Sequence, residues 1–159
     1  MRYFIDTEYD FTVGPTTATI TPISIGIVAE DGREFYAISS QHHPALVSPF
    51  VRDHVLTVFH PEGLGQAPAH CGPDIIATDL KRFIGDDSPE WWGDYADFDY
   101  VVISIIMGGF DNWPKGWPMY INDLQQEAIP EVASEFPHNA LADARAVRDA
   151  FDWSRQVTT

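Results

Sequence analysis

Asp6-Thr7-Glu8 places two carboxylates two positions apart in a segment of strand-forming composition. On a strand, residues i and i+2 share a face roughly 6.6 Å apart, so both carboxylates can turn toward one hard divalent cation. A solvated acidic strand end has the same composition, and in a chain with 24 acids the triplet alone decides little. His138 stands before a helical pattern whose first turn carries Asp143. An imidazole leaning over a carboxylate-bound cation can take a proton from a water that the cation has acidified. The plain alternative is a surface His before a helix whose early Asp favours the dipole. Asp94, Asp97 and Asp99 follow Trp91-Trp92 and lead into the apolar run 100–107. Asp99 lies closest to that run and so points into structure, whereas Asp97 suits a helix cap.

Several elements must position these groups. Residues 2–6 read as a first strand, 9–19 as a loop or irregular hairpin around Gly14 and Pro15, and 22–30 as a buried strand. Asp31-Gly32 signals a hairpin into a third strand over 33–39, which makes the first three strands antiparallel. Prolines break the pattern from 41 to 73, with room for a short helix over 49–58. A helix is expected over 74–84, with Ile75, Ile76, Leu80 and Phe83 on one face. A strand is expected over 90–94 and a loop over 108–118. A further helix is expected over 120–129, while 98–110 fits either a strand or a buried helix. Asn139 caps a last helix to about 156, with Leu141, Ala144, Val147 and Phe151 at helical spacing.

Composition bounds the function. The 159 residues suffice for one domain over 1–159. Chains of this size bury about 68–70% of their unfolded surface, so no metal or disulfide staple is needed. An apolar fraction of 45% excludes a disordered chain. No apolar run approaches the roughly 18 residues of a spanning helix, no secretory signal is seen, and Cys71 has no partner for an internal disulfide. A cytoplasmic protein without membrane attachment is therefore expected. A net charge of −15 excludes a broad basic surface for duplex nucleic acid, but not contact with phosphates through bound cations. Cys71, His70 and His60 lack the paired spacing of structural zinc.

The order of the pieces carries more than any one of them: strand-end Asp6-x-Glu8, a mid-chain Phe98-Asp99 before an apolar run, then His138-x₄-Asp143 on a final helix. This order resembles the DEDDh 3′-5′ exonucleases over nearly the whole chain. Arg2 to Glu8, Ile23 to Ser39 and His138 to Arg145 resemble most the polyadenylate-specific exoribonuclease AS subfamily. The resemblance implies an α/β ribonuclease H-like fold, a mixed central sheet with antiparallel first three strands flanked by helices. It implies Asp6, Glu8, Asp99 and Asp143 as metal-binding carboxylates, with Asp97 as the alternate for Asp99, and His138 as general base. Two divalent cations, Mg²⁺ or Mn²⁺, about 3.5–4 Å apart would straddle the terminal phosphodiester. Asp6 would bridge both ions, Glu8 and Asp143 would complete the first shell, and Asp99 would hold the second ion. The substrate implied is the 3′ end of single-stranded RNA, adenylate-rich by preference, cleaved to nucleoside 5′-monophosphates by a homodimer.

Without a basic groove, single strands are held largely by stacking, worth roughly 1–3 kcal/mol per base. Tyr9, Phe98, Trp113 and Trp117 are the aromatic candidates, and Thr7 and Arg145 the polar candidates for substrate contact. A proofreading-type DNA exonuclease and an oligoribonuclease-like enzyme would share the catalytic residues. A ribonuclease H-type endonuclease would lack the His-x₄-Asp arrangement. A catalytically inactive ribonuclease H-like binding module need not keep the five residues intact.

Overall fold

The computed structural model describes residues 1–157, so the last two positions of the expected domain lie outside the described residues. Its centre is a six-stranded sheet: β1 (Arg2–Val13), β2 (Ala18–Ala29), β3 (Glu34–Ser39), β4 (Ala69–Cys71), β5 (Glu90–Gly93) and β6 (Asn122–Asp123). The strand order is β4-β3-β2-β1-β5-β6. β1, β2 and β3 pair antiparallel, while β4, β5 and β6 join as parallel neighbours, so the sheet is mixed, as expected. No helix among the described residues is long and apolar enough to cross a membrane.

Among the described residues, three α-helices cover the sheet: α1 (Pro73–Ile84), α2 (Asp97–Ile106) and α3 (Ala140–Val157). The period of two along the strands sorts the core into two layers. Tyr3 and Ile5 of β1 with Ile25 and Ile27 of β2 pack against Ile76, Leu80, Val102 and Ile103 of α1 and α2. Phe4 and Val28 face the other way, onto Leu141, Ala144, Val147 and Phe151 of α3. By the same alternation Asp6 and Glu8 fall on the α3 side of β1, and Thr7 on the α2 side.

The segment expected as a loop or irregular hairpin over 9–19 is the hairpin, with strand on both sides of a short turn, and one expectation, the helix over 120–129, is corrected. β1 runs to Val13, and the turn closes with the Gly14 N–H donating to the Thr17 carbonyl at 2.7 Å. Tyr120 to Ile129 is not helical; Asn122 and Asp123 pair with Trp92 and Gly93, and Asp123 then closes a turn by accepting from the Gln125 N–H at 2.8 Å. Strand pairing and an Asp-stabilised turn outweigh helix propensity there. The ambiguous run over 98–110 resolves as α2, with Val102, Ile103 and Ile106 buried. The short helix expected over 49–58 is a π-helical turn (Val51–Val55) followed by a 3₁₀ turn (Leu56–Val58).

Candidate active site

β1 and β5 are parallel but pair only from Arg2 to Phe4, and β5 ends at Gly93. Beyond that pairing the start of α2 meets β1. The Thr7 N–H and hydroxyl both donate to Asp99 Oδ1, at 2.8 and 2.6 Å. Asp99 is only 5% exposed, while Asp97 is exposed, so burial singles out Asp99 from the acids of that segment. Thr7, a candidate for substrate contact, is instead buried and committed to orienting Asp99.

On the opposite face, Asp6 and Glu8 look toward the first turn of α3. Asn139 caps that helix, its Oδ1 accepting from the Ala142 N–H at 3.0 Å, while its Nδ2 donates to the Tyr36 hydroxyl and the Val58 carbonyl. The cap pins the helix end to β3 and to the segment after the π-helical turn. Asp143 then meets β1: one oxygen each from Asp6, Glu8 and Asp143 lies within 4.8 Å of the others. The His138 N–H donates to Asp143 Oδ2 at 2.9 Å, with His138 held at φ 67°.

The electrostatics of this trio are unfavourable to bare carboxylates. Burial first, then repulsion from neighbouring acids, pushes Asp6 well above the usual carboxylate range and Glu8 up to about 8. Asp143 is also raised by burial, opposed by the hydrogen bond from His138. Burial lifts Asp99 to about 7 against the pull of Thr7. Asp6 Oδ2 is buried with no hydrogen-bond partner among the described residues, a costly state for a carboxylate oxygen. Converging hard oxygens, one of them orphaned, fit a divalent cation of the Mg²⁺ or Mn²⁺ kind. Three of the four expected ligands thus gather directly; Asp99 lines the same cavity without joining the trio.

The cavity over these groups measures about 450 Å³ and also includes Tyr9, Phe11, Phe50 and Phe98 among its walls. Tyr9 and Phe98 stack with ring centroids 5.4 Å apart at 15°, and Phe11 sits 5.7 Å from Phe98. Three other candidates lie elsewhere. Arg145 grips Glu34 with two hydrogen bonds of 2.7 Å and donates to the Leu64 carbonyl, so its charge is spent between α3 and β3. Trp117 is buried against Trp91, and Trp113 packs on Tyr100 and Trp117. Sequence reasoning missed Phe50 and His54, whose rings adjoin that of His138. Their signal was the i, i+4 spacing within the short helix expected over 49–58.

Over 154 residues the chain is 34% identical to two Mycobacterium tuberculosis proteins, from different strains, each named a 3′-5′ exoribonuclease; the match covers 91% of this chain and 88% of each relative. Among solved structures, S. pombe Pop2p in its Mg²⁺- and Mn²⁺-bound form superposes with a TM-score of 0.58 at 12% identity, over 98% of this chain and 82% of Pop2p. That likeness shows a ribonuclease H-like fold. No family model matches the chain.

Proposed function

The chain belongs to the 3′-5′ exoribonucleases, and from that premise we propose that it hydrolyses single-stranded RNA from the 3′ end to nucleoside 5′-monophosphates, with a preference for adenylate-rich ends. The observation that carries the site assignment is the convergence of Asp6, Glu8 and Asp143 within 4.8 Å beside the orphaned Asp6 Oδ2. These three carboxylates would hold a divalent cation, and Asp99, aimed by Thr7, would serve a second. Bound there, such ions supply charge stabilisation to the phosphate and acidify water.

The chain's own groups do the rest. His138, fixed by its N–H to Asp143, takes the proton of the attacking water on an imidazole nitrogen. Tyr9, Phe98 and Phe11 offer ring faces and edges to the terminal bases, in a protein whose net charge of −15 gives the strand little electrostatic hold. The carboxylates repel phosphate until cations neutralise them, so substrate binding and divalent-ion binding are coupled. We further propose a homodimer acting in the cytoplasm as a single catalytic domain.

End-labelled poly(A), poly(U) and matching DNA, each with Mg²⁺, Mn²⁺ or EDTA, test the reading. Stepwise 3′ shortening of RNA that EDTA abolishes, fastest on poly(A), is the expected result. Equal digestion of DNA removes the RNA specificity, and equal rates on poly(U) remove the adenylate preference. RNA shortening that persists in EDTA removes the metal chemistry.

A further inference from the structure

His138 has an anchored backbone and an unanchored ring. Its N–H is tied to Asp143, but its imidazole makes no hydrogen bond to protein among the described residues and stands exposed at the cavity edge. Histidines that must face one way are ordinarily aimed through the second ring nitrogen. Here ring packing takes that part. Phe50 meets His138 edge to face, centroids 5.1 Å apart at 85°. His54 lies 4.9 Å from Phe50 and 6.3 Å from His138, which closes a triangle of three rings.

The triangle has a footing in the fold. Opposite Glu8 and Tyr9 the register passes from Ser24 to Pro22, so β2 carries Ile23 as an extra residue. Ile23 packs with Val47, Val51 and Val55, which fastens one side of the π-helical turn to the sheet. Phe50 and His54, each one position before Val51 and Val55, share an adjacent side and remain exposed beside His138. The segment is tied off at Val58, whose carbonyl accepts from Asn139, the residue after His138. A five-residue π turn is a rare local geometry, frequently found at functional sites.

We propose that Phe50 and His54 are positioning residues that hold the His138 imidazole in its working orientation. The inference rests on the reading of His138 as the general base. It assigns the pair to the base and not to the RNA.

The test uses kcat and KM on a 3′ oligoadenylate with Mg²⁺ for Phe50→Leu, Phe50→Tyr and His54→Leu, alone and with His138→Ala. Phe50→Leu and His54→Leu should each lower kcat roughly 10- to 100-fold, as expected when a reacting group is misaimed, with KM changed less than about twofold. Phe50→Tyr, which keeps the ring edge, should restore kcat. With His138→Ala already present, neither Leu substitution should slow the residual single-turnover rate further, because the effect runs through the missing imidazole. In metal-free protein, the His138 ring-proton NMR signals should move when Phe50→Leu removes the ring current. A raised KM with kcat kept, an equal loss in the His138→Ala background, or unmoved His138 signals would each overturn the proposal. Loss of kcat in His138→Ala without loss in the Leu variants overturns this inference alone. Undiminished kcat in His138→Ala overturns the base assignment as well.

Discussion

Gly26 and Ala140 approach so closely that a Cβ on Gly26 would stand 2.2 Å from the Ala140 carbonyl oxygen and 2.4 Å from the Leu141 nitrogen. Gly26 is also the cross-strand partner of Asp6. The first turn of α3 therefore rests on the sheet beside β1, and that seating lets Asp143 reach Asp6 and Glu8. Both contacting groups are backbone, so a methyl cannot be absorbed by a rotamer change. Gly26→Ala should destabilise the fold by about 1–3 kcal/mol, the usual range for overpacking, and reduce kcat by shifting Asp143. Urea melts and steady-state rates check both effects. Unchanged stability would mean that α3 moves away without cost.

The Asp6 carboxylate is where the fold and the chemistry conflict. Burial with an unpartnered oxygen penalises its charge, yet the proposed reaction needs that charge. Asp6→Asn should lower hydrolysis by well over about 100-fold, more than the 10- to 100-fold typical of residues that only support a metal ligand. The same variant should be at least as stable as the parent in EDTA, since one repelling charge is gone. Circular dichroism, thermal melts and end-labelled RNA separate the two effects. Ordinary turnover by folded Asp6→Asn would falsify the assignment.

Stability should also depend on pH and on divalent ions together. Glu8 is raised from 4.5 to about 8, so between those values the folded protein keeps a proton that the unfolded chain has released. Stability in EDTA then falls as pH rises through this window, and Asp99, raised to about 7, adds to the same slope. An ion that binds only the folded carboxylates restores stability in proportion to its occupancy. It competes with those protons, so the Tm gain from Mg²⁺ or Mn²⁺ should be larger at pH 8 than at pH 5.5. Melts at both values, with EDTA or with each ion, measure it.

Much of this arrangement was legible in the sequence because it rests on local rules. Alternation along β1 puts Asp6 and Glu8 on one face, and an Asn cap fixes where Asp143 falls on α3. What was not legible depends on partners distant in sequence. Arg145 reads in the sequence as a candidate for phosphate contact, but Glu34, 111 positions away, holds it. Tyr120 to Ile129 has a helix-like composition, but Asn122 and Asp123 are recruited by β5 across the sheet. Asp99 is preferred to Asp97 from its place beside the apolar run, but the two Thr7 hydrogen bonds that aim its carboxylate join residues 92 positions apart and follow from no local rule.

The last prediction concerns how a protein of charge −15 holds a polyanion. Phe98 is 39% exposed and stacks on Tyr9 at the cavity wall, while Phe11, 46% exposed, lies tilted against Phe98 with ring centroids 5.7 Å apart. Removing the Phe98 ring takes away the surface the three share without touching a carboxylate. Phe98→Ala should weaken single-strand binding by about 1–3 kcal/mol, the worth of one stacked base, so KM rises while kcat changes little. Binding of fluorescent oligoadenylate in Ca²⁺, beside steady-state kinetics in Mg²⁺, measures the two quantities separately. A fall in kcat with affinity intact would move Phe98 from holding the strand to supporting Asp99, its neighbour on α2.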